Sequence, residues 1–284
     1  MSIQRAGTSA PTGSSLPAAQ RPAAWPSDWL LIALGAAYVA AIAALVFLPG
    51  ATLIERLRAL DGGICAQAGT HSFWPGGQQL PLCSRNTGIY VGFAATFCTL
   101  LALGRLRAAR FPGRRVLAIL AVAVLFMAVD GFNSFFLDLG LPHPYQPHNL
   151  LRLASGLGTG TAMCAILLPV ANMLIWRQED EQPSFRSPRQ LAVMVPVLLL
   201  AFLTVASQVP ATLYPIAIFS TFGLVTALTL VNMVFLLGLS NRVGRFAAFR
   251  QLVPFFTVAV LCAILELMAL FALKTSVMHT LRVP

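Results

Sequence analysis

Charge is what this sequence has least of: only 10% of its 284 residues are Asp, Glu, Lys or Arg, and just nine are acidic. With 57% apolar residues and a mean hydropathy of +0.78, the chain is too poor in charge for a soluble domain of this length. A Gly-rich phosphate loop, a His-Glu-x-x-His pattern and any Ser/His/Asp arrangement are also missing, which excludes the common nucleotide-binding, zinc-protease and hydrolase signatures. The run Gly156-Leu-Gly-Thr-Gly160 has the look of a nucleotide loop, but it lies inside an apolar stretch and reads as helix packing.

What the chain does have is apolar length. A helix needs about 20 mainly apolar residues to cross a hydrocarbon core of roughly 30 Å. Seven stretches meet that need, near 29–49, 87–104, 116–137, 150–176, 190–208, 213–239 and 252–273. Their continuous apolarity argues for helices rather than a barrel, because each segment must satisfy its own backbone polar groups in lipid. The expected fold is therefore all-α, a polytopic transmembrane helical bundle of about seven spans.

The net charge of +10 would suggest nucleic acid in a soluble protein. Here the basic residues sort by side of the membrane instead, so the expected partner is the lipid bilayer and not nucleic acid. Arg105, Arg107, Arg110, Arg114 and Arg115 crowd one short loop, which the positive-inside rule places in the cytoplasm. An inner-membrane protein follows, with the amino terminus cytoplasmic, the carboxyl terminus outside, and 13 of the 19 Lys and Arg inside. Residues 1–28, rich in Ala, Pro, Ser and Thr, read as a disordered cytoplasmic tail, and 29–284 as the membrane domain. The first apolar run starts too far from Met1 and is too long for a cleaved signal peptide, so it reads as a retained anchor.

On this topology the longest loop, 50–86, is extracytoplasmic. In its first part Leu53, Ile54, Leu57 and Leu60 share one helical face, which predicts a helix lying on the outer leaflet. Cys65, His71, the turn Trp74-Pro-Gly-Gly, Cys83 and Arg85 follow. Another external segment, Leu141-Pro-His-Pro-Tyr-Gln-Pro-His-Asn149, is held extended by three prolines. Pro169, Pro196, Pro215 and Pro254 predict kinks in the later spans.

Cys65, Leu80-Pro-Leu-Cys-Ser-Arg85 with Thr87-Gly-Ile-Tyr90, Asp130-Gly131, and Asn149-Leu-Leu-Arg152 with Gly156-Leu157 resemble, in order and spacing, the recurring elements of the domain of unknown function 2085 family. The resemblance covers roughly residues 62–162 and implies a prokaryotic membrane protein with no known activity. Ala66 stands where that pattern has a His, and Asn86 where it has its last Cys, so two soft metal ligands are absent.

Cys65 and Cys83 both fall outside, in a compartment that in bacteria is usually oxidising. A disulfide between them is expected, contributing about 3 kcal/mol on a chain-entropy argument; a redox-active pair and metal ligation are the alternatives. Cys98, Cys164 and Cys262 fall inside spans as packing residues. His71, His143 and His148 lie on the same side as Cys83 and could converge with it on zinc or copper, against the alternative of scattered surface histidines.

Asp130 and Glu266 are the two intramembrane acids, each expected roughly 10 Å below the outer surface, facing the bundle interior with a partner. Arg85 and Arg152 are the partners on offer for Asp130. Both arginines precede a Gly-x-x-x-Gly pair, Gly88/Gly92 and Gly156/Gly160, so close packing of the two helices would bring the arginines together beside two helix amino termini. That arrangement suits a phosphate or carboxylate group. The candidate ligand-binding set is Arg85, Asp130, Asn133, Asn149 and Arg152, for an anionic or quinone-like amphiphile; the alternative is that the glycines only pack and the arginines reach lipid phosphates. Two function classes follow: binding or transport of a lipid-like or anionic small molecule, or a membrane redox enzyme using the Cys pair with Asp130. The sequence identifies no cofactor.

Overall fold

The computed structural model describes residues 52–178 and 180–281. The expected tail 1–28 and first span 29–49 lie outside the described residues. Helix α1, Leu53–Asp61, begins with a capping box: Thr52 Oγ1 accepts from the Glu55 N–H, and the Glu55 carboxylate accepts from the Thr52 N–H at 2.9 Å. Then come α2 (Ser84–Ala102), β1 (Ala108–Arg110), α3 (Arg114–Asp138), α4 (Asn149–Ile175) and β2 (Asp180–Pro183). A helical turn at Pro188–Leu191 leads into α5 (Met194–Ala206), followed by α6 (Leu213–Leu239) and α7 (Val253–Leu281).

From α2 to α7 the helices alternate in direction, so the bundle has two ends. One, the loop end, holds α1, the segment 62–83 and the connection between α3 and α4. The other holds β1, β2 and 11 of the 16 described Lys and Arg residues. Among the described residues, five helical segments are long and apolar enough to cross a membrane: Arg114–Asp138, Asn149–Ile175, Pro188–Ala206, Pro210–Leu239 and Phe249–Thr280. Their outward faces carry large apolar side chains, such as Val122, Leu125, Leu200 and Leu265, each more than 60% exposed. Such a surface is stable in lipid and not in water. The expected second span, α2, is not among the five, because its first turn, Ser84-Arg-Asn-Thr87, is polar. That helix sits at the centre instead, between α4, α6 and α5, and its neighbours rather than lipid cover it.

Glycines set the central contact. A Cβ on Gly88 would meet the Leu153 carbonyl and Gly156 Cα; on Gly92, the Leu157 backbone; on Gly156, the Arg85 carbonyl; on Gly160, the Ile89 carbonyl. Helices α2 and α4 therefore run parallel, in register, backbone against backbone. Thr96 Oγ1 closes the seam lower down with a 3.1 Å hydrogen bond to Thr161 Oγ1. On the other side of α2, a Cβ at Gly223 of α6 would strike the Tyr90 carbonyl.

Three expectations are corrected here. The apolar face of α1 does not lie on lipid: Ile54 and Leu57 are buried in one cluster with Phe73, Val91, Leu213 and Ile216, and Leu60 packs with Leu224 and Leu267. Of the four span prolines, Pro169 alone is in a helix interior. Pro196, Pro215 and Pro254 occupy the first turns of α5, α6 and α7, where the missing N–H has no intrahelical acceptor to lose. The arginine-rich loop is no simple connector either, since β1 pairs in parallel with β2. Asn172 Nδ2 holds the Leu106 and Ala108 carbonyls, and the Arg107 guanidinium lies 3.9 Å over the Trp176 ring.

Gly160→Ala should lower the thermal unfolding midpoint in detergent, consistent with an overpacking cost of about 1–3 kcal/mol. Gly238→Ala, where a Cβ would meet nothing within 4 Å, should leave the midpoint unchanged or slightly higher.

Candidate functional site

Because α2 and α4 start side by side at the loop end, Arg85 and Arg152 enter the bundle from neighbouring first turns. Asp130 arrives from α3, two turns before its carboxyl-terminal end, and its side chain is fully buried. Arg85 Nη2 donates to Asp130 Oδ2 at 2.6 Å, to the Asp130 carbonyl at 3.2 Å and to Ser134 Oγ at 3.1 Å. The second carboxylate oxygen, Oδ1, accepts from Tyr145 OH at 3.0 Å. Partial burial and this adjacent carboxylate push the Tyr145 phenol above its ordinary value. Asn133 Nδ2 in turn donates to the Tyr145 carbonyl at 2.8 Å, which fixes the proline-rich connection over the acid. Asp130 therefore has both oxygens satisfied, as a buried carboxylate requires.

Arg152 is different. It is only 4% exposed, yet its partners are neutral: Ser134 Oγ, accepting from Nε at 3.4 Å, and Asn149 Oδ1, accepting from Nη1 at 2.9 Å. Among the described residues its guanidinium has no carboxylate within ion-pair distance. Asn149 is held from the other side, its Nδ2 donating to the Thr70 and Ser72 carbonyls. Beside Arg152 opens a polar cleft of about 440 Å³, lined by Thr70, Ser72, His148, Asn149 and Gln208 among others. His71 lies nearby, 3.5 Å from Asp138, and burial together with the Arg152 and Arg85 charges lowers its basicity. Separately, apolar grooves line α3 from Leu117 to Phe135 and pass Gly131, where a Cβ would lie 3.9 Å from Arg85 Nη1.

The structure thus gathers Arg85, Asp130, Asn133, Asn149 and Arg152 at one end of the bundle, joined through Ser134 and Tyr145. It keeps other candidates apart. Among the described residues no three His, Cys, Asp or Glu side chains are grouped to hold a metal ion. His143 contacts the Leu141 carbonyl and Gln146, while His148 Nδ1 caps α4 by accepting from the Leu150 N–H. Glu266 is on an exposed flank of α7, not facing the interior; Asn232 Nδ2 of α6 donates to it at 3.1 Å.

The expected Cys65–Cys83 disulfide is not formed, and all five cysteines are free. Cys83 is the N-cap of α2, and its N–H donates to Cys65 Sγ at 3.2 Å. The two residues are linked by that backbone hydrogen bond and not by a covalent bond. Two residues that sequence reasoning passed over belong with them. Lys274 of α7 donates to the Cys65 carbonyl at 2.9 Å, and Asp61, the last residue of α1, is wholly buried with Oδ2 accepting from Thr221 Oγ1 at 2.9 Å. Burial pushes the Asp61 carboxyl up to about 7, against a smaller lowering by Thr221. The one available signal was that Asp61 continues the apolar stripe of Ile54, Leu57 and Leu60.

The fold and this site define a class: a polytopic helical membrane protein with a polar, cationic pocket at one end. Residues 65–166, from Cys65 through α2 and α3 into α4, match the model of a family described as Predicted membrane protein (DUF2085). No curated protein and no solved structure matches the chain. The matched segment contains both cysteines and all five gathered polar residues, which agrees with the resemblance seen in the sequence.

Asp130→Asn should destabilise, because it leaves the partly buried Arg85 without its counter-charge. The double variant Arg85→Met/Asp130→Leu should recover most of that loss in thermal unfolding. Asp61 gives a pH signature. Its native pKa lies above its unfolded value, so between roughly pH 4 and pH 7 the native state holds a proton that the unfolded chain has released. Stability should therefore fall as pH rises through that window and level off above it, and Asp61→Asn should flatten the slope.

Proposed function

We propose that this protein binds, or carries, an anionic small molecule or the anionic head of a lipid-like molecule in the cleft beside Arg152. One observation carries the reading: a guanidinium almost wholly removed from solvent, with only neutral partners, on the wall of a polar cleft. A buried charge without a counter-ion costs several kcal/mol, and a bound phosphate or carboxylate offsets that cost with charge-assisted hydrogen bonds. Asn149 and Ser134 hold the guanidinium in place, and the amino terminus of α4 adds its partial positive charge. Arg85 is neutralised by Asp130, so its part is to hold α3 against α2 and keep Ser134 between the two arginines. The apolar grooves along α3 favour a ligand with an apolar chain.

By the positive-inside rule the arginine-rich end faces the cytoplasm, which puts the cleft at the outer leaflet of the inner membrane.

Native mass spectrometry of detergent-purified protein, combined with thermal shift, tests the reading. Wild type should retain or bind a phosphate-headed amphiphile, with stabilisation of about 2.7 kcal/mol at a hundredfold excess over Kd. Arg152→Gln should lose that stabilisation while staying folded, and Arg152→Lys should keep part of it. An equal shift with inorganic phosphate would assign the cleft to a free anion. Equal binding by wild type and Arg152→Gln would sink the proposal.

A further inference from the structure

The pair Cys65–Cys83 and the buried acid beneath it make a second constellation, outside the Arg152 cleft. The cluster is built from three elements. Gly63 packs so closely on α7 that a Cβ would meet the Leu267 carbonyl, and Lys274 Nζ ties down the carbonyls of Gly62, Cys65 and Ala66. Cys83 is fixed by its place at the head of α2. Asp61 closes the cluster from α1, near enough to Cys65 for their charges to interact. Its Oδ1 is fully buried with no hydrogen-bond partner among the described residues, an orphaned acceptor.

The sulfurs are not equivalent. Cys65 is 4% exposed, whereas Cys83 is partly exposed and is the one a reagent meets first. Cys65 Sγ accepts a hydrogen bond from the Cys83 N–H at 3.2 Å.

We propose that Cys83, Cys65 and Asp61 form a thiol–disulfide exchange site for a small disulfide. Cys83 passes its proton to the Cys65 thiolate while its sulfur attacks one sulfur of the incoming disulfide RS–SR. The S–S bond breaks, one RS⁻ leaves and is protonated by water, and a Cys83–S–S–R mixed disulfide remains. Cys65 then gives its proton to the Asp61 carboxylate and attacks Cys83 Sγ, expelling the second RS⁻. The two protein sulfurs have together lost two electrons, RS–SR has gained them, and the protein ends with a bond between Cys65 and Cys83 that its resting form lacks. Contact with Cys83 draws the Cys65 thiol down, while Cys65 and burial push the Cys83 thiol up, so Cys65 is the stronger acid of the two. The charged and titratable groups around the pair are Asp61 from α1, Tyr90 and Arg85 from α2 and Lys274 from α7.

The test uses the full-length protein in detergent, equilibrated with mixtures of reduced and oxidised glutathione, then acid-quenched, alkylated and mapped by peptide mass. Wild type should lose the Cys65 and Cys83 thiols together over a defined glutathione ratio. Cys65→Ser should stop at a glutathione adduct on Cys83. Asp61→Asn should let the same adduct accumulate, with resolution slowed about 100-fold and restored by raising the pH, which a merely structural role would not produce. If both thiols stay alkylatable at every ratio in folded wild type, or if the adduct forms on Cys65 and never on Cys83, the proposal is overturned.

Discussion

The backbone contact between α2 and α4 is the constraint on which the rest depends. Four glycines, Gly88, Gly92, Gly156 and Gly160, let two parallel helices touch without side chains between them. Lipid offers no hydrophobic drive for helices to associate, so van der Waals contact at short range has to supply it. The close approach also sets the register: it places the first turns of both helices at the same level, and with them Arg85 and Arg152. A charged pair of this kind could not be assembled by loops, whose positions the membrane surface does not fix.

Asp130 converts that placement into a folded site. With Arg85, Ser134 and Tyr145 it ties α3 and the proline-rich connection to the α2–α4 seam, and both of its oxygens are used. The same network leaves Arg152 with a surplus charge, since its one carboxylate pairs with Arg85. That surplus, at the edge of a polar cleft, separates a structural ion pair from a binding pocket. On the far side of α2 the same helix start carries Cys83, so one helix amino terminus organises two constellations that do not overlap.

Much of the fold was legible because bilayer thickness imposes a length on each helix and the apolar runs record it. The expected spans 116–137, 150–176 and 213–239 differ from α3, α4 and α6 by no more than two residues at either end. The last helix runs eight residues past its expected end because Lys274, Thr275 and Ser276 interrupt apolarity without interrupting helix; Lys274 is occupied by carbonyls of the Cys65 loop. The helix at Leu53–Asp61 was readable from its periodicity, but what covered its apolar face was not, since a stripe facing protein and one facing lipid look alike in sequence. The five polar site residues could be picked out as polar groups at helix starts or inside spans.

By itself, then, the sequence determined the class, the helix positions, and the glycine seam that brings two arginines together, because these follow from local composition and the fixed thickness of a bilayer. Only the tertiary structure decided which charges cancel. Nothing along the chain says that Asp130 pairs with Arg85 rather than Arg152, that Tyr145 and Ser134 complete the network, or that Asp61 ends up beneath Cys65. Those outcomes depend on distances between helices far apart in sequence, and electrostatic energy in a low-dielectric interior changes steeply over the few ångströms that separate one partner from the next.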